Sequence, residues 1–169
     1  MSMNQLSIDL DYFTPAFEVI PVKIVVTIDS IIGPFRHFSL IHGTTYNTTV
    51  YCMAQYRPQL GFEYPEGDII ETPPLTQVEF PLMIENYGNG KTLVENEVFH
   101  SPIGWNISLP SQTILEWGEE KEILLTFIAP SNFSGFDVIN LQFTPHYYYN
   151  YSLMGHSDYV NIMVMYNPL

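Results

Sequence analysis

Alternation of apolar and polar residues is the strongest pattern in the chain, and it is clearest in the C-terminal half. Between Gln77 and Ile84, valine, phenylalanine, leucine and isoleucine occupy every second position. Successive side chains of a strand point to opposite faces, so this period predicts a strand with one buried face. The same pattern predicts six further strands, which run approximately over Thr92 to Phe99, Trp105 to Leu109, Thr113 to Leu115, Ile123 to Ala129, Phe136 to Phe143 and Tyr159 to Tyr166.

Seven short strands about ten residues apart, with turn residues between them, are typical of two antiparallel sheets packed face to face. We therefore predict an all-β chain in which residues 75–168 form an immunoglobulin-like antiparallel β-sandwich. Pro81 lacks a backbone N–H, so we expect it at an edge or a bulge of the first strand. The turn from Asn86 to Gly90 contains the asparagine and glycine residues that supply positive φ angles.

The N-terminal third is less regular and predicts an additional small β-unit, or a partial sandwich module, over residues 5–56. Its predicted strands run over Gln5 to Asp11, Pro21 to Asp29, His37 to Ile41 and Thr45 to Ala54. A unit of its own is favoured over extra strands added to the main sandwich, but the pattern leaves both open. Residues 57–74 are rich in proline, glycine and glutamate and are predicted to be a connector, with room for one short strand.

The charge of the chain restricts its partners. Five Lys and Arg stand against 18 Asp and Glu, which gives a formal net charge of −13. Nucleic acids and anionic membranes bind basic patches, so no nucleic-acid partner is expected. No run of about 18 apolar residues occurs, so this segment is not expected to insert into a membrane. Both ends look like edges of an excised segment, and we expect a signal peptide, an anchor and neighbouring domains in a longer parent chain.

The sequence contains no pattern that predicts a catalytic residue, a metal site or a cofactor. The run Gly88 to Thr92 resembles part of a phosphate-binding loop, but the motif requires glycine at position 85, which is glutamate here. Cys52, the single cysteine, is expected to be a buried small apolar residue. The five histidines lack the spacing of metal ligands, and they are His37, His42, His100, His146 and His156.

An ordered series of short motifs links the C-terminal half to a known kind of module. The series consists of Asn86-Tyr87-Gly88-Asn89, Gly104-Trp105, Gly118-Glu119, Ala129-Pro130 and Ser134-Gly135. It resembles Ig-like modules of archaeal and bacterial surface proteins, among them the domain associated with the carbohydrate-binding module of α-galactosidases and the bacterial cell-adhesion-related domain. The resemblance implies a non-catalytic spacer, adhesion or display domain. The stretch from Pro145 to Asp158 is longer than the usual final hairpin of such modules.

Four N-glycosylation sequons occur, where composition gives about 1.5 by chance. Their asparagines are Asn47, Asn106, Asn132 and Asn150. Three lie at or near predicted loops, where a transferase has access. These asparagines are the candidate glycosylation sites, and they favour an extracellular or cell-surface location.

Tyrosines dominate one segment near the C-terminus, and Tyr147, Tyr149 and Tyr151 alternate within it. Tyrosine is enriched at protein interfaces, and its ring can also stack on a sugar. These three residues are the candidate ligand or interface patch. A purely structural role, a protein contact and a glycan contact all remain open. Trp105 shares its parity with Ile107 and Leu109, so it is expected to plug the core between the sheets.

The expected function is that of a non-enzymatic, extracellular Ig-like structural or adhesion module in a larger prokaryotic, and specifically archaeal, surface or secreted protein. Its expected partners are proteins or surface glycans and the neighbouring domains of the parent chain. The alternative is an accessory carbohydrate-binding module of a glycoside hydrolase. A third and weaker alternative is an intracellular β-sandwich that binds a protein partner.

Overall fold

A computed structural model describes residues 7–11, 14–27, 45–65 and 67–168. The chain divides into two compact units, residues 1–55 and residues 56–169. The predicted strand from His37 to Ile41 lies outside the described residues. Residues 7–11, which belong to another predicted strand, are not in regular secondary structure.

The first unit contains a pair of antiparallel strands, β1 (Val19–Thr27) and β2 (Thr45–Met53). Val19 lies opposite Met53, and the register continues without a bulge to Thr27 and Thr45. Cross-strand partners point to the same face, so Ile20 shares a face with Cys52. Cys52 lies in β2 as a free thiol and is only partly buried, where the sequence predicts a buried residue.

The second unit is built from ten strands in two sheets. Its strands are β3 (Leu60–Glu63), β4 (Ile69–Thr72), β5 (Gln77–Asn86), β6 (Thr92–His100), β7 (Asn106–Ser108), β8 (Gln112–Leu115), β9 (Glu120–Ile128), β10 (Phe136–Tyr147), β11 (Asn150–Met154) and β12 (Asp158–Tyr166). One sheet has the order β4-β12-β10-β6-β8, with β11 also paired to β10, and the other has the order β3-β5-β9-β7. All pairs are antiparallel except β12 with β4.

Alternating side chains of the two sheets form one apolar core. Phe80, Leu82 and Ile84 of β5 are buried together with Leu141 and Phe143 of β10. The positions between them on β5 face outward and are partly or fully exposed. This alternation confirms the all-β, Ig-like sandwich that the hydrophobic pattern predicts, and all seven predicted strands of residues 75–168 are present.

The predicted connector over residues 57–74, for which the sequence left room for one short strand, supplies two strands of the sandwich. β3 pairs with the end of β5, and β4 pairs with β12. Phe62 of β3 packs against the core, and its ring centroid lies 4.8 Å from that of Phe143. Each strand has only four residues, so the surrounding proline, glycine and glutamate dominated the composition from which the connector was predicted.

Pro81 lies inside β5 opposite Leu124 of β9, and none of the described strands pairs with it on the other side. β3 reaches only from Met83 to Asn86, so β5 is an edge strand at Pro81. The outermost strands β3, β4, β7 and β8 have three or four residues each. These four strands therefore offer few residues to another chain, and Pro81 removes a donor from the longer exposed edge of β5.

The turn from Asn86 to Gly90 is present, but its Gly88 is required for a different reason from the predicted positive φ angles. Neither Gly88 nor Gly90 adopts a positive φ. A Cβ on Gly88 would instead meet the carbonyl oxygen of Arg57 and the side chain of Asn86, so glycine is required there for close approach. The turn is organised by Asn86, whose Nδ2 donates to the carbonyl oxygens of Gly90 and Glu116 at 2.9 and 3.0 Å.

Three glycines of the motif series do adopt the left-handed region. Gly104, Gly118 and Gly135 have φ angles of 85°, 72° and 87°. Residues with a side chain are strained in this region, so glycine is favoured at each of these turns. The spacing of these motifs therefore reflects the positions at which the chain reverses between strands.

The tyrosine-rich stretch forms the end of a long hairpin. β10 continues to Tyr147 and pairs with β11, while β12 follows on the same side of β10 after a break at Gly155 to Ser157. Pro145 lies opposite this break and cannot donate a hydrogen bond, although its carbonyl oxygen accepts one from Gly155 N at 2.9 Å. A Cβ on Gly155 would run into the rings of Pro58 and Pro145. Glycine is therefore required where β11 leads into β12.

Candidate interaction sites: the tyrosine hairpin and the loop cleft

The tyrosine hairpin comprises residues 147–151, with Tyr148 and Tyr149 as the two-residue connection between β10 and β11. The pairing of Tyr147 with Asn150 closes the hairpin. Tyr148 N donates a hydrogen bond to the carbonyl oxygen of Lys91, at a distance of 3.0 Å. The hairpin is thus held by its own strand pairing and by the neighbouring turn before β6.

Rings at the tip of the hairpin pack on one another edge to face. Tyr147 lies between Tyr56 and Tyr149, with centroid distances of 5.0 and 5.6 Å. The rings of Tyr148 and Tyr149 are perpendicular, and Lys91 Nζ lies 4.4 Å from the centroid of Tyr148. Tyr149 is 72% exposed. The cluster therefore offers one protruding ring on a packed aromatic base, rather than a row of coplanar rings.

Tyr56 anchors this base from beneath. Its hydroxyl lies 2.9 Å from Thr92 Oγ1. Burial raises the pKa of the Tyr56 hydroxyl above its ordinary value, while the hydrogen bond with Thr92 opposes that shift and the nearby Tyr147 adds to it. The raised pKa reflects the burial of Tyr56 against the tyrosine hairpin.

Tyr151 is separated from the other two residues of the predicted patch. Its ring stacks on His146 with centroids 3.9 Å apart. The hydrogen bond to the Glu95 carboxylate raises the pKa of the Tyr151 hydroxyl. His146 is buried, and its Nδ1 donates to the carbonyl oxygen of Tyr151 at 2.9 Å, which fixes the proton on Nδ1. His146 Nε2 lies 3.3 Å from Glu95 Oε2 without the geometry of a hydrogen bond. The structure therefore groups Tyr147 with Tyr149 and places Tyr151 in a second cluster.

The four candidate glycosylation residues all have exposed side chains. Asn47 lies in β2, Asn106 begins β7, Asn132 lies in the loop between β9 and β10, and Asn150 begins β11. Asn150 Oδ1 accepts a hydrogen bond from Ser152 N at 3.2 Å. The four sites are therefore distributed over several elements of the chain.

A second surface feature, which we call the loop cleft, lies between the β6–β7 loop and the β9–β10 loop. It has a volume of about 730 Å³ and includes Trp105, Asn132 and Phe136 in its lining. Trp105 is half-buried against the core, and its Nε1 donates to Asp137 Oδ2 at 3.1 Å. Its ring contacts Phe133 edge to face, with centroids 5.0 Å apart. The expected packing role of Trp105 is thus confirmed, and the residue also forms one wall of a cleft.

The sequence did not reveal the loop cleft, because its residues come from two loops about 30 positions apart. Ile103 and Phe136 line the cleft and are 99% and 67% exposed. The sequence signals nearest to the cleft were Gly104-Trp105 and the sequon at Asn132. The pairing of β6 with β10 and of β7 with β9 shows that they lie at the same end of the sandwich.

A further cleft of about 800 Å³ contains Arg57, His156 and Asp158 in its lining. Burial raises the pKa of the Asp158 carboxyl, and the nearby His156 partly opposes this shift.

Within the described ranges there is no cluster of three or more His, Cys, Asp or Glu that could hold a metal ion. In the same part of the chain, no helix has the length and apolar character needed to cross a bilayer.

The two packed sheets and their loops define the class of the protein, which is an Ig-like β-sandwich. This fold typically serves as a non-catalytic domain. No protein-family model matches the chain, and no curated protein matches its sequence. Among solved structures, the chain is similar to an ASH/PapD-like domain of human CEP192 (PapD-like domain 7), at 12% sequence identity and a TM-score of 0.46. This similarity covers 65% of the present chain and 84% of that domain.

Proposed function

We propose that this chain is a non-enzymatic, extracellular Ig-like module with a structural or adhesive role in a larger prokaryotic surface or secreted protein. The observation that carries the proposal is the distribution of its asparagines. All four sequon asparagines are exposed, whereas the fully buried ones, Asn86, Asn89 and Asn96, lie outside any sequon. Exposed sequons on several elements fit a surface that carries glycans.

The buried asparagines have structural tasks instead. Asn86 closes the turn after β5, Asn89 Oδ1 accepts from Arg57 N at 2.7 Å, and Asn96 Nδ2 donates to Thr113 Oγ1 at 2.8 Å. Among the described asparagines, exposure and sequon membership therefore coincide almost completely, with Asn161 as the exposed residue outside a sequon. This coincidence supports glycosylation more strongly than the number of sequons does.

The sandwich also has features suited to a module that contacts other molecules through side chains. Its outermost strands are short, which disfavours association through shared sheets. Tyr149 protrudes from a rigid aromatic base that includes Tyr147 and Tyr56. A pre-packed base lowers the entropic cost of binding, so the tip of the hairpin is suited to a protein contact.

Mass spectrometry of glycopeptides from the natively produced protein tests the surface assignment. We expect glycan on at least one of Asn47, Asn106, Asn132 and Asn150. Enzymatic removal of glycan should return each modified asparagine as aspartate, which marks the site. Four unmodified sequons in the native protein would remove the main support for an extracellular role.

The alternative function, an accessory carbohydrate-binding module, is favoured by the exposed ring of Tyr149. A glycan array tests it with the intact chain, the Tyr149→Ala variant and the Tyr159→Ala variant as a control on β12. Binding that is lost only in Tyr149→Ala would support this alternative over the protein contact. Binding to no glycan at all would exclude it.

A further inference from the structure

Two large apolar side chains in the loop cleft are left in water although the core is well packed. Ile103 is 99% exposed and Phe136 is 67% exposed, and both line the same cleft. Apolar groups that cluster at a concave site commonly mark a place where another group binds. A group bound in the cleft would remove the Ile103 and Phe136 side chains from water.

Asn132 lies at the same cleft and carries the chemistry for a covalent attachment. It belongs to the sequon Asn132-Phe133-Ser134, and its side chain is exposed. The loop that presents it is fixed, since Phe133 is buried and its N–H donates to the carbonyl oxygen of Pro130 at 3.0 Å. Edge-to-face packing of Phe133 on Trp105 ties the sequon directly to a wall of the cleft.

We propose that a glycan attached to Asn132 folds back into the loop cleft of the same chain and covers Ile103 and Phe136. The proposal rests on the surface role proposed above. Attachment forms a bond between Asn132 Nδ2 and the anomeric carbon of an oligosaccharide carried on a lipid phosphate. The bond from that carbon to the phosphate oxygen breaks, the lipid phosphate leaves with the bonding electrons, and one amide proton passes to a base of the transferase.

The lining of the cleft matches the chemistry of a sugar. A pyranose ring has apolar C–H surfaces, which Ile103 and Phe136 can cover, and a rim of hydroxyl groups that need hydrogen-bond partners. Asp137 and Asn140 supply polar atoms in the same lining. A volume of about 730 Å³ lies within the range of small-molecule sites and holds more than one sugar ring.

Tethering explains why a shallow cleft is sufficient. A sugar attached at the edge of the cleft binds intramolecularly, so its effective concentration is high and a weak contact is enough to hold it. Asn47, Asn106 and Asn150 are outside the lining of this cleft. Binding in the loop cleft is therefore specific to the glycan on Asn132. Asn106, on the neighbouring β7, provides a matched control.

Nuclear magnetic resonance of the full chain with labelled isoleucine methyl groups tests the proposal. The chain is produced in a glycosylating host and compared before and after enzymatic removal of glycan. We expect the Ile103 methyl resonance to shift on removal and to show cross-peaks to sugar protons beforehand. Asn132→Gln should reproduce the deglycosylated resonance, and Asn106→Gln should leave it unchanged. The Tm of the glycosylated chain should fall by about 2–4 °C in Asn132→Gln alone.

The possible negative results distinguish the binding of the Asn132 glycan in the loop cleft from the proposed surface role. A glycan on Asn132 whose removal leaves the Ile103 methyl resonance unchanged would overturn the binding in the loop cleft. The proposed surface role would not be affected. An unmodified Asn132 beside glycan on other sequons would have the same meaning. Four unmodified sequons in the native protein would overturn both proposals together.

Discussion

Asn86 shows how a single polar side chain can organise a turn between two sheets. It is fully buried, and its amide satisfies the carbonyl oxygens of Gly90 and Glu116 while its Oδ1 accepts from Gly88 N. A buried carbonyl oxygen without a donor costs free energy, so the loss of this amide affects two chain segments at once. The motif Asn86-Tyr87-Gly88-Asn89 is therefore a device that joins β5 to the end of β8.

Replacement of Asn86 by alanine is expected to lower the free energy of unfolding by about 1–3 kcal/mol, because the buried amide is lost and two partly buried carbonyl oxygens lose its hydrogen bonds. Urea unfolding followed by tryptophan fluorescence measures the change. The exposed Asn106 is the matched control, and Asn106→Ala should change stability by less than about 0.5 kcal/mol. Equal stability of the two variants would contradict the role given to the Asn86 amide.

Gly155 is constrained by space and not by its backbone angle. A Cβ at this position would meet the rings of Pro58 and Pro145, neither of which can rotate away. Gly155→Ala is expected to cost about 1–3 kcal/mol, the range for overpacking in a tight site. Gly118→Ala has open space around it but a φ of 72°, so its loss comes from the backbone alone. Urea unfolding of Gly155→Ala at wild-type stability would refute the close packing.

Asp158 gives a pH dependence with a definite sign. Burial raises the pKa of its carboxyl, with His156 opposing, so the folded state holds this proton more tightly than the unfolded chain. Ionisation of Asp158 therefore disfavours the folded state as the pH rises past the unfolded value of about 3.9. Asp158→Asn should raise the Tm slightly at pH 7 and should lose this advantage near pH 3. Scanning calorimetry at both pH values checks this, and a lower Tm of the variant at pH 7 would reverse the sign.

At the scale of elements, periodicity located the long strands and the short β7 and β8, but not β3 and β4. β5, β9 and β12 have nine or ten residues with clean alternation, so their faces could be predicted from the sequence. β3 and β4 have four residues each and lie in a stretch rich in proline, glycine and glutamate, which concealed their alternation. Their place depends on distant partners, β5 and β12, which a local pattern cannot identify.

The start of the sandwich provides a test at the same scale. A chain shortened to residues 75–169 lacks β3 and β4, so Phe62 no longer covers Phe143. It should be less stable than a chain of residues 56–169 by at least about 2 kcal/mol, because it loses the pairing of β3 and β4 and the partly buried Phe62 side chain. Circular dichroism during urea unfolding compares the two. Equal urea midpoints of the two chains would indicate that residues 57–74 act only as a connector.

For the molecule as a whole, the fold class was predictable and the candidate sites were predictable only in part. The sandwich follows from alternating strands and turn residues, which are local properties. The tyrosine hairpin was found because its residues are consecutive, yet the separation of Tyr151 from Tyr149 required the contact with His146. The loop cleft depends on two loops that meet in space, and no local signal in Ile103 or Phe136 marks it.

The short outermost strands have a consequence for copies of this module held close together. In the sandwich, β3, β4, β7 and β8 each offer three or four residues of edge backbone, and the part of β5 beyond β3 contains Pro81, which has no N–H to donate, so sheet pairing between copies through these edges is disfavoured. Recognition of a neighbour at these edges then depends on protruding side chains. Such groups can be exchanged one at a time without disturbing the core, so recognition can diversify during evolution while the scaffold stays constant.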